Sequence, residues 1–340
     1  KRFATALALC GCLAGSALAA PAASVDYRVR PVMDHGKLAA LGVEIRFAAD
    51  ADGETRLDLP NEWGGGEKLW RFVHDLKIEG ATAAREDGPA ARIIRSRPGA
   101  PLVVRYTVAN PQSADPGVEG PNFSEPIVRP DWLYVIGDTV FATPDDRDSQ
   151  PARLRWSGTP AGWSYVSDLQ QLKGGRGKIS DVRESLILAG PGLKSETRQS
   201  GGAPIRVGVR GEYAFDRAAF TDMVARIVAT ERAFWKGEAK PFLVTLAPLT
   251  TRPGATSIRG TNLEDSFAVI GTPNTPLETF RVLLTHEYFH TWNPVQMGGL
   301  VEGPQEPKDY WVSEGFTDFY ARRLALRSGL IDLDTFVADW

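Results

Sequence analysis

From Val25 to about Gly175 no run of residues has the period of a long amphipathic helix, and this restricts half of the chain to β-structure. Short alternating or β-branched segments, among them Leu41 to Phe47, Thr55 to Leu59, Leu102 to Val108 and Trp132 to Ile136, are separated by Gly, Pro, Asp and Asn. A strand with one apolar face must bury it against another layer. Residues 22–175 are therefore expected to form an antiparallel β-sandwich, with 61–66 and 110–121 as surface loops.

After about Lys178 the texture changes. Phe220, Met223, Val224, Ile227 and Val228 recur at spacings of three and four, which predicts an amphipathic helix over Asp216 to Lys236, stopped by Gly237. Ile205, Val207 and Val209 alternate before it, and Phe242 to Leu246 and Ser266 to Ile270 follow as apolar runs, so residues 176–340 read as an α+β domain. With 340 residues and 43% hydrophobic content, the chain has material for more than one core.

The first residues look like an export signal. Lys1 and Arg2 are positive, Phe3 to Leu18 are apolar or small, and Ala17, Leu18 and Ala19 make an A-x-A cleavage site. Residues 1–19 are accordingly set apart from the fold, and the expected destination is the periplasm or the exterior. A membrane anchor is the competing reading of this stretch, and lipid attachment at Cys12, within Leu9-Cys10-Gly11-Cys12, is a second. Both cysteines lie in this stretch, so a chain cleaved after Ala19 holds no thiol, and its metal ligands must be His and carboxylate. Losing Lys1 and Arg2 takes the formal charge from -3 to -5. Such totals advertise no basic face for nucleic acid or an anionic membrane, and no integral membrane segment is expected after signal removal.

The chemistry concentrates in two short segments. Thr275 as N-cap, Pro276 at the first helical position and Glu278 as the far end of a capping box predict a helix running through His290. Val282, Leu283, Leu284, Tyr288 and Phe289 place apolar groups on most of its sides, so it is expected to be buried. Residues 286–290 read His-Glu-Tyr-Phe-His, the H-E-x-x-H pattern. Side chains four apart on a helix stand one above the other, so His286 and His290 can close on one ion about 2.0 to 2.1 Å from each nitrogen. Glu287 falls beside that ion, where a general base is needed.

A second helix, from about Val312 to Arg327 and closed by Gly329, opens with Trp311-Val312-Ser313-Glu314. Glu314 would complete a His₂Glu zinc set with a fourth position for water, the arrangement of catalytic zinc sites. Asp318, four residues on, is either the acceptor for a second ring N–H of a histidine ligand or a solvated helix acid. His35 and His74, remote in the β-region, read as ordinary residues. Trp292 and Asn293 would shape the end of the metal helix, and the Pro- and Gly-rich 294–307 segment, with Glu302 and Glu306 solvated, would link the two ligand helices.

HEYFHTWN at 286–293, followed by WVSEGFTDFY at 311–320, resembles the glycyl aminopeptidase family of gluzincin metallopeptidases. The resemblance implies an N-terminal β-domain, a thermolysin-like catalytic domain and, in many members, a PDZ domain towards the C-terminus. It assigns zinc to His286, His290 and Glu314 and the base to Glu287, and it implies an aminopeptidase acting on peptides with small N-terminal residues such as Gly or Ala. It also points to Thr261 to Asp265, T-N-L-E-D, where the family carries G-x-M-E-N or G-G-L-E-H on an edge strand; Glu264 would bind the substrate's α-amine. This sequence departs from that pattern at Thr261, Asn262 and Asp265, which leaves a plain surface acid as the other reading of Glu264. The helical subdomain that follows the third ligand in gluzincins would lie beyond Trp340. Two rival functions share the residues: a zinc-bearing peptide-binding or chaperone-like protein without catalysis, and an endopeptidase built on the same zinc core.

Overall fold

The computed structural model describes residues 24–338 except 111, 113–114, 119, 121, 173–175, 237–238 and 294–310, so the expected signal and the whole of the 294–307 linker, with Glu302 and Glu306, lie outside the described residues. The fold is a stack of three main β-layers with helices on the last. The outermost layer is a six-stranded sheet in the order Arg176–Lys178, Pro151–Trp156, Val25–Asp34, Lys37–Ala48, Pro101–Val108 and Val73–Glu79. Its pairings are antiparallel save one: Val25–Asp34 and Pro151–Trp156 run parallel, a pairing that alternation cannot reveal because it does not depend on strand direction.

The middle layer joins Ile127–Arg129, Trp132–Ile136, Leu186–Pro191 and Trp163–Ser167, all antiparallel. Its two central strands are buried on both faces, which is why they read as unbroken apolar runs. Leu133, Val135, Ile187 and Ala189 enter the core shared with the six-stranded sheet. Trp132, Tyr134, Leu186 and Leu188 point the other way, into a core shared with the third layer. Position 175/176, expected as a domain boundary, thus falls between two strands of one hydrogen-bonded sheet. A smaller sheet of Thr143–Pro144, Glu54–Asp58, Ala91–Arg95 and Ala83–Glu86 flanks the first layer.

The third layer is a five-stranded sheet, Lys194–Ser200, Ala203–Val209, Phe242–Pro248, Ser266–Gly271 and Ile258–Asn262, with three parallel central strands and antiparallel edges. Leu243, Ala247, Ala268 and Ile270 face the middle sheet, and Val244, Leu246, Phe267 and Val269 face the helices. The Tyr134 hydroxyl bonds the Thr245 hydroxyl across the seam, and Arg210 lies over the Trp132 ring while pairing with Asp131 at 2.9 Å.

Helix α1, Arg217–Trp235, begins where Asp216 accepts the Ala219 N–H at 3.1 Å, and it buries Phe220, Met223, Val224, Ile227 and Val228 as its period requires. It ends earlier than expected. Lys236 (φ 57°) takes the left-handed position assigned from sequence to Gly237. Helix α2, Phe280–Phe289, follows a 3₁₀ turn at Leu277–Thr279. The expected cap at Thr275 is not made, because its hydroxyl is buried against that of Thr272 (2.6 Å), which itself accepts the Ser257 N–H. A π-helical turn, Trp311–Gly315, leads into α3, Phe316–Arg327, closed by Gly329 at φ 67°; α4, Leu333–Ala338, follows. Among the described residues no helix is long and apolar enough to cross a membrane.

Candidate metal centre

His286 and Glu287 sit in the last turn of α2, and His290 caps its end. Phe280, Leu284 and Tyr288 bind the opposite side of the helix to the core under the five-stranded sheet. The histidines are thereby turned towards the start of α3. Glu314 projects from the π-helical turn, and π-turns are frequent where a helix must re-aim a functional side chain.

The three side chains meet. His286 Nε2 lies 3.1 Å from Glu314 Oε2 and 3.1 Å from His290 Nε2, and His290 Nε2 lies 3.6 Å from Glu314 Oε2. Ligands bound tetrahedrally at zinc–nitrogen and zinc–oxygen lengths stand ~3.3 to 3.5 Å apart, so the triangle already has the size of one tetrahedral face. Among the described residues this is also the one His/Asp/Glu group whose ligand atoms converge closely enough to hold an ion.

Outer contacts decide which lone pairs are free. His290 Nδ1–H donates to the Asn293 carbonyl oxygen at 2.8 Å, and a carbonyl can only accept, so the neutral ring presents a bare Nε2. His286 Nδ1–H donates in the same way to Asp318 Oδ1 at 3.1 Å. Two imidazole lone pairs and a carboxylate oxygen then face one point, an arrangement that is repulsive unless a proton or a metal cation stands between them. The electrostatics agree. The histidines hold the Glu314 carboxyl far below the usual range. Burial works to lower the His290 pKa, but bonding to Glu314 and to the Asn293 carbonyl, together with the Glu314 and Glu287 charges, brings it above the ordinary value. Burial raises the Glu287 carboxyl, opposed by the positive potential of the two histidines. Zinc fits this donor set.

The spacing between the two helices is fixed by two devices that sequence reasoning had not assigned. The Asn293 side-chain amide reaches the carbonyls of Val312 (2.9 Å) and Ser313 (3.1 Å) and the Thr317 hydroxyl (3.1 Å), fastening the end of α2 to the turn that bears Glu314. Behind the ligands, Phe289 stacks on Tyr320 with centroids 5.5 Å apart, and Trp235 of α1 stacks on Trp292 at 5.1 Å. The aromatic spacing 289/292 and 320 was the available signal. The two histidine side chains are 16% and 15% exposed and Glu314 47%, so solvent reaches the centre from the Glu314 side.

Glu264 is exposed on the turn between the Ile258–Asn262 and Ser266–Gly271 strands. It lines a cleft of about 650 Å³ with Glu184, Arg232, Tyr288 and Trp292; the three ligands do not line it. In that cleft Arg232 is buried and donates to the Tyr288 hydroxyl (2.8 Å) and the Ser200 carbonyl (3.0 Å). His35 and His74 are exposed in the β-region.

Residues 279–340 match the family model of the M61 glycyl aminopeptidases. No curated protein matches the chain. Among solved structures, an aminopeptidase N family protein from Idiomarina loihiensis superposes with a TM-score of 0.73 at 19% identity, over 92% of this chain and 56% of its own. The present chain thus spans little more than half of that relative. An M1 zinc metallopeptidase from Deinococcus radiodurans gives a TM-score of 0.53 at 17% identity, over 94% and 74%, and a variant of it bound to a Tyr-Ser-Ala substrate gives 0.51 at 17%, with the same coverage. Identities this low establish the shared fold alone. The resemblance of this chain to gluzincin-type metallopeptidases is therefore carried by its M61 glycyl aminopeptidase segment, 279–340, set on an architecture that it shares with aminopeptidase N and M1 proteins.

Proposed function

We propose that this chain is the zinc-bearing part of a peptidase in which His286, His290 and Glu314 hold the metal and Glu287 is the general base. The observation that carries the reading is the convergence of three lone-pair donors, two of them fixed in tautomer by Asp318 and Asn293, at tetrahedral spacing on a solvent-reached face. Zinc, when bound, supplies Lewis acidity to a water and to the peptide carbonyl. Glu287, one position after a ligand and shielded from solvent, takes the proton of the attacking water and returns it to the leaving amine. Asp318 keeps the His286 Nε2 lone pair aimed at the metal throughout.

Substrates in this reading are peptides with small N-terminal residues, with Glu264 as amine anchor. A second reading, endopeptidase action, draws on the position of Glu264 in a cleft that the ligands do not line. The segment 1–19 makes the protein an exported one in either case. The test uses a panel of peptides, free and N-acetylated, with bound zinc counted in parallel. The parent chain is expected to hydrolyse only free amines if Glu264 anchors them. Glu287→Gln should keep about one zinc and lose ~10²- to 10⁴-fold in kcat, and His286→Ala should lose the zinc. A Glu287→Gln protein as active as its parent removes the base assignment, whereas a zinc-loaded parent that hydrolyses none of the peptides leaves the metal-bearing, non-catalytic function.

A further inference from the structure

The outer face of the six-stranded sheet carries charge for which the metal chemistry has no use. Residues directly opposite on neighbouring strands project to the same side, so the register reads as a lattice. One row runs Arg176, Arg153, Asp26, Arg46, Val103 and Glu79, and the next runs Arg155, Arg28, Glu44, Arg105 and Lys77. With Arg30 beyond them, eight basic side chains face three carboxylates, on a chain whose formal net charge is -3.

The three acids are already engaged. Asp26 is held between Arg28 and Arg155 at 3.0 Å each, Glu44 between Arg46 (2.6 Å) and Arg105 (2.7 Å), and Glu79 by Arg105. Arg30, Lys77, Arg153 and Arg176 have no carboxylate partner among the described residues. Arg153 stands opposite Arg176, Arg28 opposite Arg155, and Lys77 opposite Arg105. Like charges directly opposite are destabilising, and a merely soluble face would alternate in sign across its strands. The paired arginines Arg28, Arg46, Arg105 and Arg155 are nonetheless 40 to 48% exposed, so their charge reaches solvent.

The shape selects the partner. Six strands make a face ~24 Å across. The two rows hold no aromatic side chain on which bases could stack and form no helix to enter a duplex groove. A broad sheet of guanidinium groups without apolar wedges matches a broad anionic surface instead. We propose that this face docks the chain peripherally on a bilayer of anionic phospholipids, through lipid phosphates. The five-stranded sheet and the metal-bearing helices lie on the opposite side of the stack, two layer spacings of ~10 Å away, so docking leaves the metal centre facing solution.

Co-sedimentation of the full chain with phosphatidylcholine vesicles, with and without phosphatidylglycerol, tests this. Partition onto the phosphatidylglycerol vesicles alone, abolished by high salt, is expected. The combined Arg30→Gln, Arg153→Gln and Arg176→Gln protein should bind about 100-fold more weakly, at about fivefold per charge, with an unchanged unfolding midpoint. Val103→Lys, which adds a cation at the centre of the face, should strengthen partition about fivefold, a gain that misfolding cannot imitate. The proposal fails if phosphatidylglycerol vesicles do not bind the parent, if the triple variant binds equally, or if duplex DNA or a sulfated polysaccharide binds more tightly than the vesicles.

Discussion

Replacing Asp168 with Asn should make the fold more stable, and increasingly so as pH rises. Asp168 is 6% exposed in the 3₁₀ turn between the middle-layer strand Trp163–Ser167 and the 186–191 strand, where its Oδ1 accepts the Leu186 N–H (2.9 Å) and the Ser167 hydroxyl (3.2 Å). Burial raises its pKa from 3.8 to about 7 even though those donors oppose the change. In this window the folded chain holds a proton that the unfolded chain has released, so stability falls as pH rises from about 4 to about 7 and is fully reduced above that. A carboxyl raised that far withholds ~4 kcal/mol of stability once it is ionised, of which ~2.5 kcal/mol develops between pH 5 and pH 8. Asn keeps the acceptor oxygen and cannot ionise. Urea unfolding of both proteins at intervals from pH 5 to pH 8 should show the variant gaining on the parent across the series. A difference that stays flat over that range would mean that the Asp168 carboxyl is not kept neutral by the fold.

The other predictions concern the metal helices. Asp318→Asn should weaken zinc binding ~10- to 100-fold, read by competition with a chromogenic chelator, because the His286 Nδ1–H loses its charged acceptor; affinity within twofold of the parent would make Asp318 a bystander. Tyr288→Phe should cost ~1.5 to 3 kcal/mol in urea unfolding, since it strips an acceptor from the buried Arg232 Nε–H, and no loss would show that Arg232 finds another partner.

Where one physical rule decided the outcome, the sequence was a good guide. The three-and-four spacing of Phe220 to Val228 gave α1, and the alternation of Ile205, Val207 and Val209 gave a strand. Sequence is a poorer guide where tertiary contacts compete with local chemistry. Thr275 looks like a cap by type and spacing, yet its hydroxyl is claimed by Thr272. The 175/176 boundary follows a real change of texture, but the 186–191 strand pairs back across it to Trp132–Ile136. Charge totals conceal the basic face, because formal net charge is a sum over all surfaces and Arg153 meets Arg176 only through strand register. Sequence alone leaves Asp318 between an orienting acid and a solvated one, because only the fold brings its carboxylate to 3.1 Å from a ring nitrogen 32 residues away.

A two-helix metal site must hold its ligand helices at the right separation before the ion arrives, or binding spends its free energy on ordering them. Here the local sequence performs much of that task. In the proposed site His290 would supply a ligand, and three residues later Asn293 both accepts the His290 Nδ1–H and grips the turn that carries Glu314. Phe289, next to His290, stacks on Tyr320, and Asp318, four residues after Glu314, lies 3.1 Å from His286 Nδ1. Ligands, orienting groups and spacers are thus packed into two segments, 286–293 and 311–320, whose identities are interdependent. A sandwich strand faces no comparable demand, since a layered core accepts many apolar residues of suitable size. That difference in tolerance agrees with a family match that takes in both segments, on a chain whose fold is shared over 92 to 94% of its length with structures of under 20% identity.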